Sequence, residues 1–295
     1  MTLNHLIELS EKYALSQETQ SELPGIAVLR RDRPSGIEAS IYRPVICLIL
    51  RGAKVTSIGE QAASVRAGDA LLVSHDLPVV SRITEASRET PYLALILALD
   101  LGLLRGLYET VGENLLPEEK ARSISVGRAD PIWSEPLERY LALLDKPLDQ
   151  KVLGPALLRE IHYRLLQSPM GGMLRNLLAV DSHASRIGRA IIQIGRNYRS
   201  PLAVTDLART AGMSASSFHD HFRAITGTTP LQYVKDLRLI EAQRLLNAEG
   251  RSVADAAFAV GYESPTHFSR DYSRKFNRPP SHEGDTRTLA AGAAA

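Results

Sequence analysis

Two segments in the last third of the chain repeat one pattern. Each has a short helical stretch with a small residue in its middle, a glycine that ends it, a tight turn, and a polar-faced helix carrying two aromatic residues. The glycines, Gly212 and Gly261, lie 49 residues apart, with the periodicity of one long helix between them. Glycine suits such a turn because it adopts a positive φ without a Cβ penalty. The pattern is typical of a helix-turn-helix, whose second helix enters the major groove of DNA.

The charge of the chain is divided unevenly. Residues 183–282 contain 14 Lys and Arg against 8 Asp and Glu, a net charge of +6, whereas residues 1–182 contain 20 against 23, a net charge of −3. A basic segment attracts the phosphate backbone of nucleic acid. Together with the helix-turn-helix pattern, this makes double-stranded DNA the first candidate partner of the last third, although the charge alone also fits a helical surface that carries many arginines.

The first part of the chain has a different periodicity. Residues 26–100 contain runs of four to eight residues rich in Val, Ile and Thr, separated by Gly or Pro, and Gly68-Asp69 is a hairpin signal. Short strands with no helix between them predict an antiparallel barrel or sandwich. From Asp100 the apolar spacing becomes helical and predicts helices over about 101–167.

Cysteine usage and hydropathy indicate a compartment. Cys47 is the single cysteine, so no intrachain disulfide can form, and a reducing cytoplasm is expected. The apolar run Leu93 to Leu104 is shorter than the roughly 20 residues that span a bilayer. The N-terminus lacks the basic start of a signal peptide. We therefore expect a cytoplasmic protein with no membrane partner.

At this point the chain resembles a known family. Residues 183–282 look like the DNA-binding region of the AraC/XylS family of bacterial transcription regulators, and GYESPTHFSRDYSRKFNRPP is closely similar to that family's second-unit signature. The stretch from PVICLILRG to ETPYLALILALD resembles the family's effector-sensing domain. The resemblance implies an α+β chain with an N-terminal cupin-like antiparallel β-barrel and flanking helices, followed by an all-α tandem helix-turn-helix domain. It also implies a small-molecule effector in the barrel, a homodimer formed by the helices around 131–166, and contact with RNA polymerase.

The domain boundaries follow from these two readings. The sequence SPMGG at 168–172 interrupts the helical pattern. We therefore expect an effector-sensing and dimerisation domain over 1–170, a linker over 171–182, the DNA-binding domain over 183–282 and a flexible tail over 283–295.

The resemblance also implies which side chains meet DNA. On the first recognition helix these are Ser216, Ser217, His219 and Asp220; on the second they are Pro265, Thr266, His267, Ser269 and Arg270. An arginine such as Arg270 bonds guanine O6 and N7 in bidentate fashion, whereas Arg274 and Lys275 are expected at phosphates. Asp220 stands where the family often has a basic residue, and Ala203 stands where a helix start favours Ser or Thr. The first unit is therefore expected to read DNA weakly.

Candidate effector contacts in the barrel are Cys47, Leu48 and His75. Two other functions are open at this stage: a cupin-type enzyme fused to a DNA-binding module, and a DNA-alkylation-repair regulator. A catalytic metal needs about three protein ligands, whereas the barrel region holds only His75, and His219 and His221 point about 200° apart on a helix. Alkylation repair needs nucleophilic cysteines beyond the single one present. We therefore predict no metal, no cofactor and no enzymatic activity, and a ligand-controlled, sequence-specific transcription regulator.

Overall fold

The structure is a computed structural model that describes residues 3–16, 23–59, 61–112, 115 and 122–283. The chain divides into two compact units: Met1–Glu38 with Tyr42–Ser185, and Ala39–Ile41 with Arg186–Ala295. The strands are β1 Ile26–Arg31, β2 Glu38–Tyr42, β3 Val45–Arg51, β4 Ala53–Ile58, β5 Gln61–Arg66, β6 Asp69–Val73, β7 Leu77–Glu85, β8 Tyr92–Ala98 and β9 Ile124–Arg128. The helices of the first unit are α1 Leu3–Ser16, α2 Leu101–Val111, α3 Pro131–Leu141, α4 Pro147–Gln167 and α5 Gly172–Leu178.

The strands form two sheets, confirming the antiparallel barrel. One sheet has the order β1-β8-β3-β6-β9 and the other β2-β7-β4-β5. Strand β9 was not predicted, and it extends the first sheet beside β6, where Leu71 lies opposite Val126. Because successive strand residues point to opposite faces, the Leu48 side chain packs in the core shared with the helices, whereas the Cys47 sulfur faces Lys54 on the second sheet.

The predicted helices cover the outer face of the first sheet. Asp100 caps α2 by accepting a hydrogen bond from the Leu103 amide at 2.9 Å. Helix α4, Pro147–Gln167, lies within the span over which helices are predicted. The buried side chains of α3 and α4, with Trp133 fully enclosed, join the core beneath β3 and β8. This core holds the helical layer against the barrel.

The predicted linker over 171–182 is wrong in its first part. A single 3₁₀ turn, Pro169–Gly171, leads into α5, and the side chains of Met170, Met173, Leu174 and Leu178 are buried in the core of the first unit. The glycines that suggested a break begin a short packed helix instead. The first unit accordingly extends to Ser185 rather than to residue 170.

Apart from residues 39–41 of β2, the second unit is helical. Its helices are α6 His183–Asn197, which begins in the last residues of the first unit, α7 Val204–Thr210, α8 Ala215–Thr226, α9 Pro230–Ala248, α10 Val253–Ala259 and α11 Pro265–Phe276. The flexible tail predicted from 283 is wrong at its first residue. Glu283 is buried and accepts hydrogen bonds from Tyr272 Oη at 2.6 Å, Gln243 at 3.1 Å and Arg278 at 2.7 Å. Residues 284–295 lie outside the described residues. Within the described part, no helix is long and apolar enough to cross a membrane.

Candidate nucleic-acid interface

The two turns of the repeat share one hydrogen-bond pattern. In the first, the Met213 amide donates to the Ala208 carbonyl at 2.9 Å, and in the second the Tyr262 amide donates to Ala257 at 3.0 Å. Both alanines are buried, which lets the two helices of each unit approach closely. The repeat seen in the sequence is therefore a repeat of backbone geometry.

The glycine at each turn has the positive φ that the sequence predicts. The φ angle is +63° at Gly212 and +88° at Gly261. The two positions differ in their surroundings. A Cβ on Gly212 would meet nothing within 4 Å, whereas one on Gly261 would lie 2.1 Å from the Arg199 carbonyl oxygen. Glycine at 261 therefore serves both conformation and close packing.

Side-chain caps fix where the recognition helices begin. The Ser214 hydroxyl accepts a hydrogen bond from the Ser217 amide at 3.3 Å, and Ser264 accepts one from His267 at 3.3 Å. Helix α7 has no such bond because its N-cap is Ala203. As predicted, the first helix of the first helix-turn-helix lacks a side-chain cap.

Aromatic pairs anchor the inner face of each recognition helix. The rings of Phe218 and Phe222 lie 5.4 Å apart on α8, and Phe222 meets Tyr233 of α9 edge-on at 5.4 Å. On α11 the rings of Phe268 and Tyr272 are also 5.4 Å apart. All five are buried, so the opposite face of each helix points outward.

The predicted base-reading residues lie on these outward faces. On α8, Ser216, His219 and Asp220 are exposed and Ser217 is half-buried; on α11, Thr266, His267 and Arg270 are exposed and Pro265 and Ser269 are half-buried. Their contact with DNA remains a prediction. The second turn is one residue longer, so equivalent helix positions differ by 50 and Asp220 occupies the place of Arg270.

Arg270 and Asp220 differ in availability as well as in charge. Arg270 makes no hydrogen bond or ion pair with any described residue, so its guanidinium is free to meet an external acceptor. The Asp220 carboxylate lies 3.7 Å from His219 Nδ1. The second helix-turn-helix therefore presents a cation at the position where the first presents an anion.

Arg238 ties α9 to the second helix-turn-helix. It was not among the residues predicted from the sequence. Its guanidinium donates to the carbonyls of Tyr198 at 2.6 Å, Ser200 at 3.0 Å and Gly261 at 3.0 Å. One side chain thus ties the end of α6, the long helix and the second turn together. Its signal in the sequence is no more than an arginine on a long helix.

The prediction that Lys275 contacts phosphate conflicts with its position. Its ammonium lies 2.7 Å from the Asp236 carboxylate, and only 12% of its side chain is exposed. Because the cation is enclosed in an ion pair, we assign Lys275 to holding α11 on α9. Arg274 is 66% exposed, so its guanidinium can still contact a phosphate, although it also donates a hydrogen bond to Asp271.

Asp271 is a second residue that sequence reasoning missed. Its side chain is 3% exposed and lies 3.2 Å from Lys235 Nζ and 3.2 Å from Tyr262 Oη. Burial and then the Asp271 charge raise the pKa of Tyr262 above its ordinary value. The carboxylate therefore joins α9, the turn and α11, and it also pairs with Arg274.

The three predicted effector residues do not share one site. The Cys47 thiol faces the barrel interior, whereas Leu48 packs on the helical side and cannot contact a ligand between the sheets. His75 follows β6 and has both ring nitrogens engaged, with Nε2 3.1 Å from the Ala184 carbonyl and Nδ1 2.9 Å from Ser74 Oγ. Burial lowers the pKa of His75 to about 4, despite the bond to Ala184. Among the residues that the structure describes, no three His, Cys, Asp or Glu side chains form a group suited to a metal.

Comparison with known proteins follows the same division. The family of AraC-type transcriptional regulator N-termini matches residues 22–173, and a helix-turn-helix domain family matches residues 207–283. The transcriptional regulator ExsA of Pseudomonas aeruginosa is 27% identical over 114 residues, 39% of this chain and 41% of that protein. The transcriptional activator RhaS of Escherichia coli is 26% identical over 169 residues, 56% of this chain and 60% of that protein. The chain thus spans about half the length of the curated relatives it matches.

Solved structures of ToxT from Vibrio cholerae share the fold. An apo variant has a TM-score of 0.57 at 11% identity, covering 89% of this chain and 98% of that one. The wild-type protein with a bound unsaturated fatty acid has a TM-score of 0.54 at 11% identity, covering 92% and 96%. At this identity the likeness concerns fold alone. Since the N-terminal family covers more than half of the chain and a helix-turn-helix family covers most of the remainder, this chain belongs to the AraC-type transcriptional regulators.

Proposed function

We propose that this regulator reads an asymmetric DNA site of two successive major grooves, and that a small molecule held between its two sheets controls that reading. The observation that carries the DNA part is the pair of outward polar faces on α8 and α11, both packed on the single helix α9. Helix-turn-helix readers in this arrangement sit about one helical turn apart, ~10–10.5 bp. Because the two faces differ in sequence, the site of one protomer is not a palindrome.

The two helix-turn-helix motifs contribute unequally to DNA recognition in this proposal. Arg270 supplies a guanidinium suited to guanine, and Arg274 supplies charge for the backbone. Asp220 supplies a carboxylate, which accepts a hydrogen bond from cytosine or repels phosphate. The second helix-turn-helix therefore provides most of the discrimination between bases.

Effector control acts through the N-terminal unit, which contains the two sheets. A ligand shifts a regulator between DNA-competent and incompetent states only by its differential affinity for them. The fatty acid bound to ToxT belongs to a protein related in fold alone, so the proposal rests on the buried polar side chains of this barrel, among them Lys54, Thr56 and Tyr92. As a DNA-binding regulator, the protein would act in the cytoplasm and contact RNA polymerase at its promoter.

We also propose that a second copy of the chain packs on the outer face of α4. Leu148 and Val152, one turn apart, are 79% and 72% exposed, and Leu153 is 47% exposed. Residues four apart share a helix face, so this is an apolar stripe without a covering element among the described residues. We assign it to the dimer that the family resemblance implies. Replacing Leu148 and Val152 with lysine should convert a dimer to a monomer by light scattering, whereas a wild-type monomer at micromolar concentration would contradict the assignment.

Footprinting tests the DNA part directly. The full-length protein on a selected operator should protect two major grooves per protomer on one face of the duplex, with distinct sequences in the two halves. Protection of a single groove per protomer, or of a perfect palindrome within one protomer's site, would show that only one helix-turn-helix engages DNA.

A further inference from the structure

The first recognition helix carries an arginine that is not among the predicted base-reading residues. Arg223 follows Asp220 by three residues on α8, and both side chains are exposed. Phe218 and Phe222 turn the opposite side of α8 into the core. Because successive helix residues turn by about 100°, Asp220 points straight away from these two rings, and Arg223 lies roughly 60° from Asp220 around the axis. Arg223 therefore belongs to the outward side of the helix.

The second recognition helix has its corresponding arginine on the other side of the outward direction. With equivalent positions 50 residues apart, Arg223 corresponds to Ser273, whose hydroxyl donates to the Ser269 carbonyl at 2.8 Å. Arg274 corresponds to Ala224, which is exposed. Each helix thus carries an exposed arginine near its C-terminal end, but the two arginines are displaced in opposite directions.

The width of the major groove decides what Arg223 can reach. The groove is about 12 Å wide and a helix with its side chains is about 10–12 Å across, so a recognition helix fills the groove from wall to wall. A side chain that points straight out meets base edges, whereas one turned by roughly 60° points towards a wall, which is a row of phosphates. Arg223 is also the ninth residue of α8 and Asp220 the sixth, which places Arg223 about 4.5 Å farther along the axis. Since base contacts come from the N-terminal part of a recognition helix, Arg223 lies where the backbone passes.

The charges on the outward side of α8 give this contact a purpose. The Asp220 carboxylate brings a negative charge towards the phosphates, and Arg223 brings a positive charge from the same side of the helix. An arginine that neutralises a phosphate releases a condensed counterion, and this gain does not depend on the base sequence. An arginine near the C-terminus of a helix can also act on the helix macrodipole alone. The experiment must separate these two roles.

We propose that Arg223 binds a backbone phosphate in the half-site occupied by α8, so that the first helix-turn-helix anchors the protein on the duplex while the second reads the bases. The inference rests on the proposed binding to two successive major grooves and names the group that holds the first recognition helix there. It offsets the charge of Asp220 and leaves base preference to Arg270.

The test uses the full-length protein and an operator selected with the wild type. Arg223→Met, which removes the charge and keeps a long side chain, should lower the operator affinity by about tenfold or more. The slope of log affinity against log salt should become shallower by about 1, with the base preference in both halves unchanged. Arg223→Lys keeps the charge and should retain the wild-type slope. Arg244→Met, which removes an exposed arginine of α9, is the matched control and should leave the slope unchanged.

Ethylation of single phosphates locates the contact on the operator. In the wild type, ethylation of a phosphate in the α8 half-site should interfere with binding. The same ethylation should have no effect on binding by Arg223→Met, because the variant no longer contacts that phosphate.

Three results would overturn the inference. Unchanged affinity and slope in Arg223→Met would leave only the macrodipole role, which thermal stability reports separately. A changed base preference in the α8 half-site would make Arg223 a base reader. An equally shallow slope in Arg244→Met would show a general effect of net charge. Failure of the two-groove proposal has a different signature, because the wild type would then show neither protection nor ethylation interference in the α8 half-site, and both proposals would fall.

Discussion

The two glycines of the repeat offer a matched pair of substitutions. Placing alanine at a left-handed φ costs roughly 1–2 kcal/mol, and this is the whole expected cost of Gly212→Ala, whose new methyl would meet nothing within 4 Å. In Gly261→Ala the methyl would lie 2.1 Å from the Arg199 carbonyl oxygen. Forcing that loop apart adds an overpacking cost of about 1–3 kcal/mol. The total for Gly261→Ala is then about 2–5 kcal/mol of unfolding free energy.

The extra cost at Gly261 should also be local. The loop that must move carries the Tyr198 and Ser200 carbonyls that Arg238 holds, so Gly261→Ala should loosen α9 from α10 and α11. Hydrogen exchange of the intact chain should show faster exchange across α10 and α11 in Gly261→Ala, with a smaller effect across α7 and α8 in Gly212→Ala. Equal destabilisation by the two substitutions would refute the argument, because it would mean that the backbone angle alone matters and the close approach does not.

Three further predictions concern individual side chains. Arg270→Ala should weaken operator binding by about 1–3 kcal/mol and relax the base preference at one position, whereas Asp220→Arg should strengthen binding; selection from a randomised operator measures both, and an unchanged preference in Arg270→Ala would exclude base contact. Lys275→Met should lower the free energy of unfolding by at most about 3–5 kcal/mol, because the Asp236 carboxylate loses its cation but keeps the hydrogen bond from Gln232; the slope of operator affinity against salt should not change, and a flatter slope would restore the phosphate contact. Because the pKa of His75 is about 4 in the folded state against 6.5 ordinarily, the unfolded chain protonates first, so stability should fall by about 3 kcal/mol as the pH drops from 6.5 to 4. In His75→Gln this component of the pH dependence should vanish from denaturant titrations, and its persistence would assign it to other groups.

The features that the sequence predicts correctly are local ones. The glycine turns, the Ser214 and Ser264 caps and the aromatic pairs are each specified within a few residues, and the 3.6-residue and two-residue periods separate helices from strands. The tandem helix-turn-helix and the antiparallel sheets follow from these signals. The missing cap at Ala203 was visible for the same reason.

The features that it does not predict depend on distant partners. The segment 172–178 reads as a break because of its glycines, yet it is a helix because four neighbouring apolar side chains find room in the core of the first unit. Lys275 reads as a surface cation until Asp236, 39 residues away, is placed beside it. Leu48 and Cys47 are adjacent in one apolar strand, and only the packing of the helices decides which of them faces the interior.

The same distinction supports the proposal that the second recognition helix reads DNA more strongly than the first. Local sequence gives both helices a cap, a turn and an aromatic anchor, so both can be presented to DNA. The second is tied to α9 by charged groups: Lys275 with Asp236, Asp271 with Lys235, and Arg238 with a carbonyl of the second turn. A buried ion pair favours one arrangement over others because an unpaired partner is costly. The outward side chain on this helix is Arg270, whose bidentate geometry loses most when the helix shifts. The second helix-turn-helix thus combines a precisely placed helix, α11, with Arg270, the residue that requires this precision.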